Sequence, residues 1–301
     1  MSKILIGADV GGTKTAVAVA EGEKILGRAD GPGAAVRPGR ALVAATTITE
    51  VVRRALAAAG RLNGDVLVVG AAGAGREPER EELRKALRGE NLATSVVVTT
   101  DIEIALAAAF SDGPGIVVSA GTGSVAVGRD QSGKQYRIGG YGWQMGDEGS
   151  GYAIGRAALG AVSRAMDARS PRTALSERVL RATRSTDFDD LVRWAATASP
   201  AEVAALAPHV LVVAAEGDQL AQGITDYAAR ELSQLAICLL PKMKLTPPVR
   251  VAVTGGLLSA GQPLRKTLLA KLAEEPAFQT TDAPVDAVAG ALRLATANSN
   301  A

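Results

Sequence analysis

The segment Asp9-Val10-Gly11-Gly12-Thr13-Lys14-Thr15 constrains this chain more than any other. Residues 3–8 before it read as a buried strand, and residues 16–20 after it as another. Two strands joined by Gly-Gly-Thr form a tight hairpin. Its tip offers backbone N–H groups and a hydroxyl, and nothing bulky, so it can cradle an anion such as a phosphate. An Asp closing the first strand is placed to face a Mg2+ ion on that phosphate. A plain hydroxyl-rich β-turn has the same composition, so the segment alone leaves both readings open. It is not a Walker A loop. Gly7 and Gly12 have that motif's separation, but Thr13 stands where its Lys belongs and the next residues alternate as a strand.

Composition narrows the classes. The 301 residues, 47% of them hydrophobic, are enough for two domains with their own cores. A net charge of +2 argues against a nucleic-acid or membrane-surface binder. Aromatic residues, at 3%, are too few for base-stacking platforms. One cysteine, Cys238, excludes an internal disulfide and a Cys-rich metal site within one chain. It sits in an apolar run and is expected to be a buried thiol. The one histidine, His209, leaves little material for serine-hydrolase or His-based metal chemistry. No basic leader with an apolar core opens the sequence and no apolar run has transmembrane length, so a cytoplasmic protein is expected.

Along the chain, residues 24–29 suggest a third strand, 40–59 a helix, 65–71 a strand, 77–88 a charged surface helix and 95–100 a strand ending at Asp101. A short helix follows over 102–110; Asp101 could simply cap it. Residues 111–115, Ser-Asp-Gly-Pro-Gly, make the best domain boundary, placing the domains at 1–112 and 113–301. Then the plan restarts. Residues 116–120 form a buried strand, Gly121-Thr122-Gly123-Ser124 a turn, 125–128 a returning strand, and 134–138 a third. The spacing Gly121-x-Gly123-x-x-Ala126 imitates a dinucleotide fingerprint, but that fingerprint must open a helix. Residues 139–151 are Gly-rich, hold Asp147 and Glu148, and lead into a helix over 152–168. They read as a ligand loop or a capping loop. Residues 171–240 are largely helical, with Thr173, Asp187 and Ser199 as N-cap candidates. A strand over 249–254 ends in Gly255-Gly256, where a flat ligand can lie on backbone. A small-residue helix over about 286–297 closes the chain.

The order Asp-x-Gly-Gly-Thr (9–13), Asp101, Gly-Thr-Gly-Ser (121–124) and Thr-Gly-Gly-Leu (254–257) resembles the actin, sugar-kinase and Hsp70 ATPase superfamily. The Gly-Asp-Glu-Gly-Ser loop (146–150) and the tail over 284–291 resemble the BadF/BadG/BcrA/BcrD ATPase family, in particular its N-acetylglucosamine kinases. The resemblance covers nearly the whole chain and is weakest over 171–245. It implies an α/β fold of two ribonuclease-H-like, actin-like ATPase domains, with a helical insertion (about 171–240) in the second and the final helix packed back on the first. It implies an ATP- and Mg2+-dependent sugar kinase acting on a hydroxyl of a hexose or amino sugar. By it Gly11, Gly12, Thr13 and Lys14 bind the β/γ-phosphates, Asp9 holds Mg2+, Thr122 and Gly123 form a second phosphate turn, and Gly255 and Gly256 border the adenosine. Ser124, Gly140 and Asp147 contact the sugar, and Asp101 is the catalytic base. A homodimer through the second domain is implied too.

One position departs. Sugar kinases of this family carry an Asn in the loop after the third strand that contacts the N-acetyl sugar, and here Ala35 stands there, with Arg37 two residues on. Losing such a contact changes selectivity. Arg37 reads either as a surface residue or as a partner for an acidic sugar. Two other classes compete. An ATPase activator of a CoA-ester reductase or dehydratase shares an iron–sulfur cluster, for which Cys238 alone is poor provision. A sugar-sensing regulator needs a DNA-binding element, and no helix-turn-helix precedes the first strand. The cysteine-rich zinc motif of ROK sugar kinases is missing.

Overall fold

The computed structural model describes residues 3–111 and 113–299; Met1, Ser2, Asp112 and the last two residues lie outside it, the expected boundary residue Asp112 among them. Contacts divide the chain into two units, one running to Gly113 and resuming at Val285, the other spanning Pro114–Pro284.

The first unit begins with a meander of β1 (Ile4–Val10), β2 (Lys14–Glu21) and β3 (Lys24–Pro32). Then come α1 (Ala41–Ala58), β4 (Gly64–Ala71), α2 (Glu77–Arg88), β5 (Ala93–Thr99) and α3 (Asp101–Phe110). The sheet order is β3-β2-β1-β4-β5, antiparallel through the meander and parallel from β1 to β5. Successive strand residues face opposite sides, and β1 uses both. Ile6, Ala8 and Val10 join the core under α1 and α2, with Ile48, Leu56, Leu83 and Leu87. Leu5 faces the other core, with Val68 and Ile104. Asp9 therefore falls on the α3 face, at the strand's C-terminal end.

The second unit repeats the plan with β6 (Gly115–Ala120), β7 (Ser124–Arg129) and β8 (Gln135–Gly139). A helical stretch follows: α4 (Gly151–Met166), α5 (Leu175–Thr183), α6 (Phe188–Thr197), α7 (Pro200–Ala204), α8 (Ala207–Ala215), α9 (Gln219–Ile237) and α10 (Leu240–Met243). β9 (Val249–Thr254), α11 (Pro263–Ala273) and β10 (Phe278–Thr280) complete it, in the order β10-β9-β6-β7-β8. Strand by strand this is the first sheet's topology: an antiparallel three-strand meander extended by two parallel strands. The expected architecture of two ribonuclease-H-like domains with a helical insertion is what the chain adopts.

The last helix, α12 (Ala287–Ser299), belongs to the first unit. Its Ala291 and Ala295 are buried in the core that holds Leu5 and Ile104. A Cβ on Gly290 would stand 1.9 Å from the carbonyl oxygen of Ile104, so α12 and α3 touch backbone to backbone.

Two expectations about single residues need correction. Cys238 is exposed, not buried. It follows α9, whose buried stripe runs Ala221, Thr225, Ala228, Ala229, Leu232, Ser233, Ala236. Two residues beyond Ala236 is about 200° around a helix, off that stripe. Thr173 is not the N-cap of α5, which is Ala174; it sits one residue earlier, where its hydroxyl accepts the Leu175 N–H (3.1 Å) and donates to Asp218 (2.8 Å). Asp187 and Ser199 do cap α6 and α7.

Candidate active site

In the first unit the β1–β2 connection is the three-residue Gly11-Gly12-Thr13 turn, closed by Gly11 N–H donating to the Lys14 carbonyl (2.8 Å). Gly12 and Thr13 are exposed. The chain after β3 lies directly on this turn. Ala34 N–H donates to the Gly11 carbonyl at 3.1 Å, and Thr15 Oγ1 donates to Pro32 O at 2.8 Å. A Cβ on Gly33 would sit 2.2 Å from Gly12 O and 2.5 Å from Thr13 N, so only glycine permits that approach. Lys14 pairs with Asp30 at 2.9 Å, with side chains 63% and 66% exposed. A pair that open contributes little to stability, about 0–1 kcal/mol, and leaves the ammonium able to swing to another anion.

Asp9 and Asp101 come together by packing. Asp9 pairs with Gly70 across the parallel β1–β4 ladder. Ile104 of α3 rests on Gly70, its Cδ1 2.4 Å from where a Cβ would be. That seats the first turn of α3, and Asp101 with it, beside Asp9. Burial pushes the Asp9 carboxyl up to about 6; the negative charges of Asp101 and Asp286 push the same way, and Lys14 opposes them. The helix cap is Thr100, in a reciprocal box with Glu103. Asp101 is the first helical residue, so capping does not account for it.

Asp286 is the residue that sequence reasoning missed here. Its Oδ1 accepts the Ala289 N–H (3.1 Å) at the start of α12. In the sequence it is one residue of the small-residue helix over about 286–297, with nothing local to mark it; the return of α12 to this unit brings its charge to Asp9.

In the second unit the Gly121–Ser124 turn is held by α4. Gly151 N–H donates to Gly121 O (2.8 Å) and Tyr152 N–H to Thr122 O (3.2 Å). Ser124 Oγ donates to Glu148 O at 2.7 Å. Gly255 joins the same group: a Cβ there would stand 2.3 Å from Ala120 O, the residue before the turn. Gly256 opens a single 3-10 turn to Leu258. Arg265, buried, ties this corner with its guanidinium, donating to Leu258 O (2.8 Å) and to Asp282 Oδ1 (2.9 Å). Gly140 follows the end of β8, and its carbonyl accepts Arg137 Nη2 at 2.7 Å. Asp147 is buried in left-handed backbone (φ 62°), and burial raises its pKa against the backbone N–H groups of Ser124 and Gly142.

The expected site residues thus form two groups. Asp9, Gly11, Gly12, Thr13, Lys14 and Asp101 are in the first unit; Thr122, Gly123, Ser124, Gly140, Asp147, Gly255 and Gly256 are in the second. A groove of about 1140 Å3 in the second unit, lined by Trp143, Tyr152, Arg156, Gly160 and Tyr227 among others, includes none of them.

Two five-stranded sheets of one topology, each with a Gly turn after its first strand, define the class of actin-like ATPases and sugar kinases. The chain belongs to the BadF/BadG/BcrA/BcrD ATPase family, whose model matches residues 6–295. An N-acetyl-D-glucosamine kinase of Dictyostelium discoideum is 30% identical over 98% of both chains. An N-acetylmuramic acid/N-acetylglucosamine kinase of Clostridium acetobutylicum is 34% identical, over 55% of each chain. A structure described as an N-acetylglucosamine kinase from Chromobacterium violaceum superposes with a TM-score of 0.82 at 28% identity, covering 97% of this chain and 99% of that one.

Proposed function

We propose that this protein transfers the γ-phosphate of ATP to a hydroxyl of an amino sugar, free or N-acetylated. The observation that carries the reading is the strand-end pair Asp9–Asp101 beside the Gly11–Thr13 turn, on a chain whose full-length relatives are amino-sugar kinases. Phosphoryl transfer needs positioning and charge neutralisation more than covalent chemistry. Gly11, Gly12, Thr13 and Lys14 take the β/γ-phosphates. Thr122 and Gly123 form the second turn, and Gly255 and Gly256 border the adenosine. Asp101 accepts the proton from the attacking sugar hydroxyl. Ser124, Gly140 and Asp147 contact the acceptor.

The donor set fits Mg2+. Three carboxylates concentrate negative charge at Asp9, yet among the described residues no three such side chains are arranged to enclose a metal. Mg2+ keeps several waters and shares phosphate oxygens, so one carboxylate suffices; Asp9 is that ligand. When bound, the ion neutralises charge on the phosphates.

The acceptor loop sets the choice of sugar. Ala34 and Val36 are buried, Ala35 between them is half-buried, and Arg37 is exposed. The family's Asn contact is replaced by a methyl, so discrimination for the N-acetyl group is weaker. The reading includes a cytoplasmic homodimer. In its support, no described helix is long and apolar enough to cross a membrane, and Tyr141, Trp143, Met145 and Tyr227 give the second unit an exposed apolar face.

The test is ADP release from Mg-ATP with glucose, glucosamine, N-acetylglucosamine, N-acetylmannosamine and N-acetylmuramate. At least one amino sugar should raise the rate a hundredfold over the sugar-free rate; no stimulation by any of them refutes the reading.

A further inference from the structure

Asp147 is expected to touch the sugar, but its surroundings assign it a second task. Its carboxylate lies flat against the second turn: Oδ2 is 2.6 Å from the position a Cβ on Gly123 would take. The same carboxylate accepts from the backbone N–H groups of Ser124 and Gly142. Its backbone is in the left-handed region, which Asp and Asn enter far more readily than bulkier residues. The peptide after it is tied to the same turn, because Glu148 O accepts Ser124 Oγ at 2.7 Å. Within the turn, Gly121 N–H is spent on Gly123 O at 2.9 Å. The Ser124 N–H is turned to Asp147. The donors the turn presents to an anion are then the Thr122 and Gly123 N–H groups and the Thr122 hydroxyl.

We propose that Asp147 is a positioning residue for the nucleotide side of the reaction: by holding the Gly123–Ser124 peptide it keeps the Thr122 and Gly123 N–H groups aimed at the phosphates. This rests on the phosphate-binding reading of that turn. The carboxylate can accept from both N–H groups at once. An Asn amide has one acceptor oxygen for the two N–H groups, so either the Ser124 or the Gly142 N–H is left facing an NH2 and loses its partner. Glycine keeps the left-handed backbone and removes the anchor. Both residue types enter the left-handed region, so neither substitution strains the backbone at this position.

The experiment is calorimetric titration of the full chain with Mg-ADP in the absence of any sugar, for wild type, Asp147→Asn, Asp147→Gly and Ser199→Ala. The last removes the cap of α7 and serves as a control for general destabilisation. Wild type should bind, Asp147→Gly should bind about tenfold more weakly, Asp147→Asn should fall between the two, and Ser199→Ala should match wild type. A residue that serves only the sugar leaves sugar-free ADP affinity unchanged. Asp147 variants that equal or exceed wild type overturn the proposal, as does a Ser199→Ala loss equal to theirs. A wild type that does not bind Mg-ADP removes the phosphate reading of the turn, and this proposal with it.

Discussion

Asp9 carries an energetic cost that the Mg2+ role proposed for it would account for. A buried carboxylate with two acidic neighbours is held near 6, against an ordinary value of 3.8. Between those two values the folded state binds the extra proton, so folding stability falls as pH rises from about 4 to 6 and does not return above it. Asp9→Asn removes that charge. The ligand-free variant should melt several degrees above wild type at pH 7 and about level with it near pH 4, by calorimetry at both values. The same variant should lose Mg2+-dependent turnover, the usual exchange of stability for function at a charged site. Asp101→Asn tests the other carboxylate. We expect kcat to fall by about 10² to 10⁴, the span of a lost general base, with Mg-ADP affinity within twofold of wild type. Turnover near the wild-type value would remove Asp101 as the base.

At the scale of elements, the two turns and the closing helix were legible, and β10 and α11 were not. Gly-Gly-Thr and Gly-Thr-Gly punctuate runs that alternate as strands, and both became the β1–β2 and β6–β7 connections. Beta10 has only three residues, Phe278–Thr280, too few to show a period, and it is a strand only because β9 pairs with it. Alpha11, Pro263–Ala273, also escaped the sequence reading. Its apolar and charged residues show little sidedness, although Leu264, Leu268 and Leu272 are buried. The influence of the Asp286 charge on Asp9 is tertiary, and no local pattern encodes it. The loop after β3 was read as an acceptor loop, but its seat on the Gly11–Thr13 turn was not. Gly33→Ala tests that seat. The added methyl would overlap the Gly12 carbonyl and the Thr13 nitrogen, both backbone and unable to swing aside. The variant should stay folded, since the turn is at the surface, and lose at least tenfold in Mg-ADP affinity by calorimetry. Unchanged affinity would show that the turn does not hold the phosphates.

At the scale of the molecule, the repeated sheet topology is the property that composition could not show and motif order could. No sequence repeat links the halves, yet both sheets run 3-2-1-4-5 in their own strand numbering. Each places a short turn after its first strand. If each unit contributes a phosphate turn, as proposed, coupling follows: phosphate should leave ATP for the sugar rather than for water. Solved structures at lower identity share the fold across different activities, a ROK glucokinase of Streptomyces griseus (TM-score 0.60, 19% identity) and a 2-hydroxyglutaryl-CoA dehydratase component of Acidaminococcus fermentans (0.52, 16%) among them. Fold alone therefore does not select the reaction. The single exposed Cys238 gives a cluster-bearing activator too few thiolates, and purified protein should be colourless and iron-free.

The most direct measurement is the balance of products. Mg-ATP and the best amino sugar of the panel are incubated with the protein, and ADP, sugar phosphate and inorganic phosphate are followed together by phosphorus NMR. One sugar phosphate should form for each ADP, with inorganic phosphate near the sugar-free background. ADP appearing with an equal amount of inorganic phosphate, whether or not sugar is present, would contradict the account.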